Sequence, residues 1–493
     1  MNALLRHLLV YFSLIIASSL FAATISSKST GGDWSLTSTW NGGVIPGASD
    51  DVVINGLVTL NTSSSCNNIT INSSGTLINI YNYSRSLNVK GELINYGKVS
   101  SDATSSTMTL YLNGDFQNFG IYEPSRTYMN NGTSHEISLS TGTWLKGDWY
   151  FGANDILDFQ SNIRFKDAYI DGVSGTSRTQ FKTNNYRFDT ESITINEIEV
   201  LSSGSVKLDS SLVEYFRLTG DATTEGYTSI GSSVIFNGNV TNTGTLYNRS
   251  NWSKTLTSYG KLINKGEIIS DPTNSSFTIE LYGDLDNQNI YYPDKTYVNG
   301  SIKIQGNEDK YLSGTWYMDG ADSLTLTSDI LFTNVSFDGV KNSTDTSTIL
   351  TNGYTFNTLK TQLQYLLIKG SDTLNLDSSF IKYAVVEGDA VFVGYTTIGY
   401  NVLLNGEMTN EGTLVNENNW SRTLTSYGKL INKGEIISDS TNSTFSIELY
   451  AGLDNQNIYH PDKTYVNGNS LIQCNEDKHL SGTWYMDGAD SLT

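Results

Sequence analysis

After its first two dozen residues the chain is dominated by short apolar–polar alternations, each closed off by Gly, Asn or Ser. The phrase "GKLINKGEIIS" occupies residues 260–270 and returns letter for letter at 428–438, with a looser version, "GELINYGKVSS", at 91–101. Apolar side chains fall on every second position of such a phrase, which predicts a half-buried strand bounded by turns. No stretch beyond the N-terminal segment sustains a 3.6-residue period. Helices are therefore not expected.

The pattern Gly-x-apolar-x-Asn-x-(Gly/Asn)-x-apolar starts at Gly238, Gly260, Gly283, Gly406 and Gly428, so neighbouring starts lie 22 or 23 residues apart. Short strands recurring at that interval predict an all-β fold, a parallel β-helix (β-solenoid) with coils of about 22 residues. Alternation sends Leu262 inward and leaves Lys261 and Lys265 facing water. Glycine is expected to supply positive φ at the corners. Asparagines on successive coils are expected to hydrogen-bond along the axis.

A longer period overlies the short one. Trp252 and Trp420 begin stretches that stay in step to the last residue, giving long tandem repeats of about 168 residues. Roughly five positions in six are identical between these two copies, and a more diverged first copy starts at Tyr83. The expected organisation is a signal peptide over 1–23, a head with the first coils over 24–82, and repeats over 83–251, 252–419 and 420–493. With coils about 4.8 Å apart, one repeat would make about seven or eight coils and roughly 35 Å of length. Pro124, Pro293 and Pro461 recur at one place in the three copies, within "IYEPSRTY", "IYYPDKTY" and "IYHPDKTY". Proline cannot donate to a strand ladder, so this place is a corner. The third copy breaks off after "SGTWYMDGADSLT", which reads as a fragment with an uncapped last coil and predicts end-to-end self-association.

Charge and composition narrow the function. A formal net charge of −20 argues against nucleic acid, whose phosphates need clustered Lys and Arg. "MNALLRH", an apolar run and "AAT" read as an export signal cleaved near Ala22 or Ala23, which places the mature chain outside the cell or on its surface. No other stretch is long enough for a membrane span. Cys66 and Cys474 are read as two separate thiols.

Candidate chemistry is sparse. His7 leaves with the signal, while His460 and His479 stand where the preceding copy has Tyr292 and Tyr311, as expected of exposed positions. His135, in "GTSHEIS", has no Cys or His at metal-ligand spacing and is read as a solvated loop residue. Calcium is the one cofactor considered, on Asp319 and Asp322 and on Asp487 and Asp490, although no calcium-loop spacing accompanies them; they are read as a solvated corner. No catalytic residue is assigned. The candidate binding residues are three matching sets beside the proline corner: Tyr122, Arg126 and Tyr128; Tyr291, Lys295 and Tyr297; Tyr459, Lys463 and Tyr465. Aromatic faces beside polar donors can stack on sugar rings, so polysaccharide or a cell-surface glycan is the expected ligand class; the alternative is tyrosines packed over a corner with their hydroxyls in water.

The coil pattern resembles that of right-handed parallel β-helix surface proteins of bacteria, including the filamentous-adhesin kind. Residues 31–77 are similar to the start of many secreted Bacteroidetes proteins and to the glycine-rich G8 module, through Trp34, Trp40, Gly42, Gly43, Pro46, Asp50, Val53, Ile54 and "CNNITI". That resemblance implies a head that caps the solenoid and a role in surface display. The lone Asp50–Asp51 pair belongs to this head pattern, and the Gly-His-Gly and Arg-Ile-Lys motifs of β-helical galacturonases are missing. The expected function is an exported structural or adhesive β-solenoid without catalytic activity. The alternative is a carbohydrate-binding array, or the stalk of a polysaccharide-active enzyme whose catalytic domain lies beyond Thr493.

Overall fold

The computed structural model describes residues 23–102, 104, 106–248, 253–271, 276–307, 310–340, 346–370, 374–417, 419–439, 441, 443–487 and 491–492. Residues 1–22 of the expected export segment, His7 among them, and also Trp252, Asp490 and Thr493, lie outside the described residues. The fold is an all-β parallel β-helix, 57% strand, with coils about 21 residues apart, close to the spacing read from the sequence. The chain divides into two compact units, Met1–Gly220 and Asp221–Thr493, so the division falls inside the first repeat.

In the first unit one run of stacked strands shows the principle. Thr24–Ser26 pairs in parallel with Asp51–Ile54, and then Ile69–Ile71, Leu93–Asn95, Phe116–Asn118 and Ser134–Leu139 follow in turn. Alternate residues point inward, so Val52, Ile69, Leu93 and Phe116 are buried in one column, and Ile54 and Ile71 lead a second one into Asn95 and Asn118. The head belongs to the same stack. Its Trp34 and Trp40 are buried edge to face, 5.0 Å between ring centres, and the Trp40 indole N–H donates to the Trp34 carbonyl at 2.8 Å. Asp50 accepts from the Gly47 N–H at 2.8 Å, and Asp51 accepts from the Asn67 and Asn68 amides at 2.8 and 2.9 Å. Both aspartates hold turns.

In the second unit Val240–Asn242, Leu262–Asn264 and Leu285–Asn287 stack in register, and Met408–Asn410, Leu430–Asn432 and Leu453–Asn455 repeat the arrangement. The quoted phrase behaves as its alternation predicts. Leu262 is buried and Lys265 exposed, while Lys261 is half-buried and donates to Asp286 at 3.0 Å.

The expected asparagine ladder is present and lies inside. Asn242 donates from Nδ2 to Asn264 Oδ1 at 2.8 Å, and Asn264 to Asn287 at 2.8 Å. Asn410, Asn432 and Asn455 form the matching chain at 2.8 and 2.7 Å, and in the first unit Asn95 donates to Asn118 at 2.7 Å. All are completely buried. Each of these amides also donates to a backbone carbonyl, such as Asn264 to Ile290 at 2.7 Å, so corner groups that water cannot reach are satisfied from the side chain.

Glycine supplies positive φ at several corners, as expected, but not in the repeated phrase. The glycines of the repeated phrase do not sit at positive φ; they are needed because coils touch there. A Cβ on Gly120 would lie 2.1 Å from the Gly97 carbonyl oxygen, and one on Gly266 2.0 Å from that of Gly244, closer than any side chain tolerates. Positive φ appears at other turns, among them Gly132, Gly300 and Gly468 at one matching place and the glycines opposite the proline corner at another. Gly147, Gly314 and Gly482 (φ +80, +91 and +86) lie against the carbonyls of Pro124, Pro293 and Pro461, where a Cβ would come within 2.1 to 2.2 Å. The prolines are buried and stand between strands, which makes this place the corner the sequence predicts.

Candidate functional site

The proline corner splits each candidate set. Tyr122, Tyr291 and Tyr459 are completely buried. Their hydroxyls meet the Oγ1 atoms of Thr127, Thr296 and Thr464 at 2.8, 3.0 and 3.0 Å. Their rings pack at 5.5, 5.8 and 5.8 Å on Trp149, Trp316 and Trp484. Burial pushes all three phenols above their ordinary pKa. None can meet a sugar, nor do their hydroxyls reach water, so these three leave the candidate list. The reason is parity. Tyr122 belongs to Ile121–Glu123 and Arg126 to Arg126–Met129, and the turn at Pro124 resets the alternation between the two strands.

The other two members of each set do face outward together. Arg126 is exposed and Tyr128 half-buried; Lys295 is half-buried beside exposed Tyr297; Lys463 and Tyr465 are both half-buried. Stacking extends each tyrosine into a column. In the first repeat Tyr111, Tyr128 and Tyr150 are in register, with ring centres 5.1 and 4.8 Å apart and planes within 23° and 18°. Tyr150 reaches on to Tyr169 at 6.1 Å, edge to face. Tyr297 stacks on Tyr317 at 4.7 Å, and Tyr465 on Tyr485 at 4.8 Å.

Beside the first column, Arg126, Asp148 and Tyr169 share a second register line. Burial raises the Asp148 carboxyl above the ordinary carboxylate range, while Arg126 and a hydrogen bond from Tyr150 pull it back. Burial also raises the phenols of Tyr150, with the Asp148 charge adding to it, and of Tyr169, with Asp171 adding to it. The sequence did not single out Tyr111, Asp148, Tyr150 or Tyr169. The signal was available once coils are stacked, since Tyr128 lies 17 residues after Tyr111 and 22 before Tyr150.

This geometry limits the chemistry. Rings stacked face to face cover one another's flat surfaces, so a column shows a ligand its edges and hydroxyls rather than an open platform. What it offers is a line of hydroxyls at coil spacing, next to Arg126 or its lysine counterparts.

Other candidates take structural roles. His135 is 1% exposed rather than solvated; Nδ1 meets the Gly114 carbonyl at 3.0 Å and Nε2 the Asn131 Oδ1 at 2.8 Å. His460 and His479 are exposed, as read. Asp322 is buried rather than solvated, and accepts from the backbone N–H groups of Gly300 and Asp319 at 2.6 and 2.7 Å. Asp155 does the same in the first repeat with Gly132 and Gly152. Each of these carboxylates is committed to tying one turn to the next coil. Cys66 is buried and Cys474 exposed, both as free thiols.

No protein-family model, curated protein or solved structure matches this chain. Its reading therefore rests on its own geometry.

Proposed function

We propose that this chain is an exported structural and adhesive β-solenoid displayed at a bacterial cell surface, without catalytic activity in the described residues. The observation that carries this reading is the recurrence of one outward-facing column, a stacked tyrosine pair beside a cation, at Tyr128–Tyr150, Tyr297–Tyr317 and Tyr465–Tyr485. Weak polar contacts repeated along one chain add through multivalency, which suits adhesion better than a single reaction centre. The signal-like N-terminus supports export, and the acidic, largely uncharged-polar composition suits a surface in contact with water.

The test is to express the full chain in a Gram-negative host, shave intact cells with protease and sequence the N-terminus of the released protein. The expected result is release from intact cells, with the mature chain starting near Ala23. A protein that keeps Met1 and resists shaving until the cells are lysed would overturn the reading.

A further inference from the structure

We propose that the first repeat carries a binding site for a single carboxylated sugar ring, in the cleft between Arg164 and Tyr186. The cleft encloses about 210 Å³ and is lined by Ser140, Gly142, Ser161, Asn162, Arg164 and Tyr186 among others. Pockets for drug-sized ligands run to roughly 300–1,000 Å³, so this one suits one ring with its substituents rather than a buried chain.

Three observations select the ligand. First, Tyr186 is 37% exposed and, unlike Tyr128 or Tyr150, stacks on no other ring among the described residues, so its face stays open at the cleft. A free aromatic face is what the tyrosine columns lack and what a sugar ring needs. Second, Arg164 enters the wall with its guanidinium 5.6 Å from the centre of the Trp144 ring. Its Nε lies 3.5 Å from Asp189, and its terminal amino groups make no hydrogen bond to another described residue. A planar fork held from behind by an aromatic ring is suited to bidentate capture of a carboxylate. Third, Asn162 uses Oδ1 to accept from the Arg187 N–H at 2.9 Å and leaves its amide N–H₂ unpartnered among the described residues, a donor for a ring hydroxyl.

Among the described residues Arg164 is the one charged side chain in the cleft wall; Asp189 faces it and Arg187 from the next coil, and Lys166, beyond the wall, is answered by Glu191, Asp167 and Asp209. The second repeat supplies an internal contrast. Leu331, Thr333 and Thr355 stand where the first has Arg164, Lys166 and Arg187, and Asp329 stands for Asn162, while Tyr354 still matches Tyr186. The aromatic is retained and the anion-binding groups are gone.

The experiment titrates methyl β-D-glucuronide and methyl β-D-glucoside into the purified full chain, followed by saturation-transfer NMR. The proposal expects saturable binding of the glucuronide in the millimolar range and binding of the glucoside at least tenfold weaker. Arg164→Leu, which copies the second repeat, should weaken the glucuronide roughly tenfold or more, the scale of losing a charge-assisted pair. Tyr186→Ala should weaken both sugars, and Lys90→Ala, at an exposed position outside every candidate set, should change neither. Each variant is checked for an unchanged unfolding midpoint. Equal binding of the two sugars, no saturable binding of either, or a folded Arg164→Leu protein that binds the glucuronide as before would overturn the site. Because the assay uses purified protein, its failure leaves the surface-display reading standing, and failure of export leaves the binding result standing.

Discussion

Trp149 in the first repeat and Trp316 in the second are one residue written twice. Both are completely buried, and both donate the indole N–H to a carbonyl three residues back, Lys146 and Ser313, at 3.2 Å. Each packs against a buried tyrosine that closes on a threonine, and each follows a positive-φ glycine set against a proline carbonyl. The outward faces of the same coils have diverged. Tyr111, Asp148 and Tyr169 give way to Glu280, Thr315 and Ser336, and Arg164 gives way to Leu331. An inward residue must fit the coils above and below it, so its neighbours limit its replacement. An outward residue touches the next coil only along its own column and is free to change. Differences between outer faces are therefore the place to look for function, and identities between interiors report stacking.

The sharpest attempt to break this comparison is to truncate the two matched tryptophans. Trp149→Ala and Trp316→Ala should each cost about 3–5 kcal/mol in denaturant unfolding. Equivalent interiors predict values within about 1 kcal/mol of each other; a gap above about 2 kcal/mol would mean that the two cores are not interchangeable.

On the outer face the repeats should separate. Tyr128 stacks on two tyrosines and Tyr297 on one, its other register neighbour being Glu280. At about 0.5–1.5 kcal/mol per aromatic pair, Tyr128→Ala should cost about twice as much as Tyr297→Ala. Equal losses in the same unfolding assay would remove the distinction between a column and a pair.

The smallest effect contrasts inside with outside at the two thiols. Burial, with the nearby Asp51 charge, pushes the Cys66 thiol up to about 12, while Cys474 is exposed. Alkylation at pH 8 should modify Cys474 and leave Cys66 untouched until the protein unfolds, read by peptide mass spectrometry. The folded-state value is raised, so Cys66 contributes stability that is complete below its unfolded pKa near 9 and is lost as pH climbs toward 12. Equal alkylation of both thiols in the folded protein would contradict the buried placement.

The coil length, the strand direction, the asparagine ladder and the proline corner were all legible in the sequence, because each repeats at the coil spacing and repetition reveals which positions stack. Leu262 and Lys265 could be assigned to their sides from alternation alone. The binding candidates were only half legible. Tyr122 and Tyr128 lie six residues apart and would share a face on an unbroken strand, but the turn between them places one in the core and one outside. The glycines of the repeated phrase misled for a related reason: in Gly120 and Gly266 the constraint comes from the coil beneath, which local sequence does not record. The Arg164 cleft joins residues from three successive coils, Ser140, Arg164 and Tyr186, and no linear motif connects them.

The asparagine ladder makes the coil stack electrically one-sided. Every side-chain amide in it donates toward the later coil, from Asn242 through Asn264 to Asn287 and from Asn410 through Asn432 to Asn455. Aligned amides polarise one another, so each chain has an acceptor end and a donor end, as a helix does. The acceptor end of one chain is closed by the Thr224 hydroxyl, 2.8 Å from Asn242 Oδ1. In the other, Phe392 occupies the place of Thr224, and Asn410 Oδ1 is buried without a partner. The two rows do not join: the donor end of the first, Asn287, lies over Gly306, and the acceptor end of the second, Asn410, lies over Phe392, so each block of coils carries its own separate one-sided row.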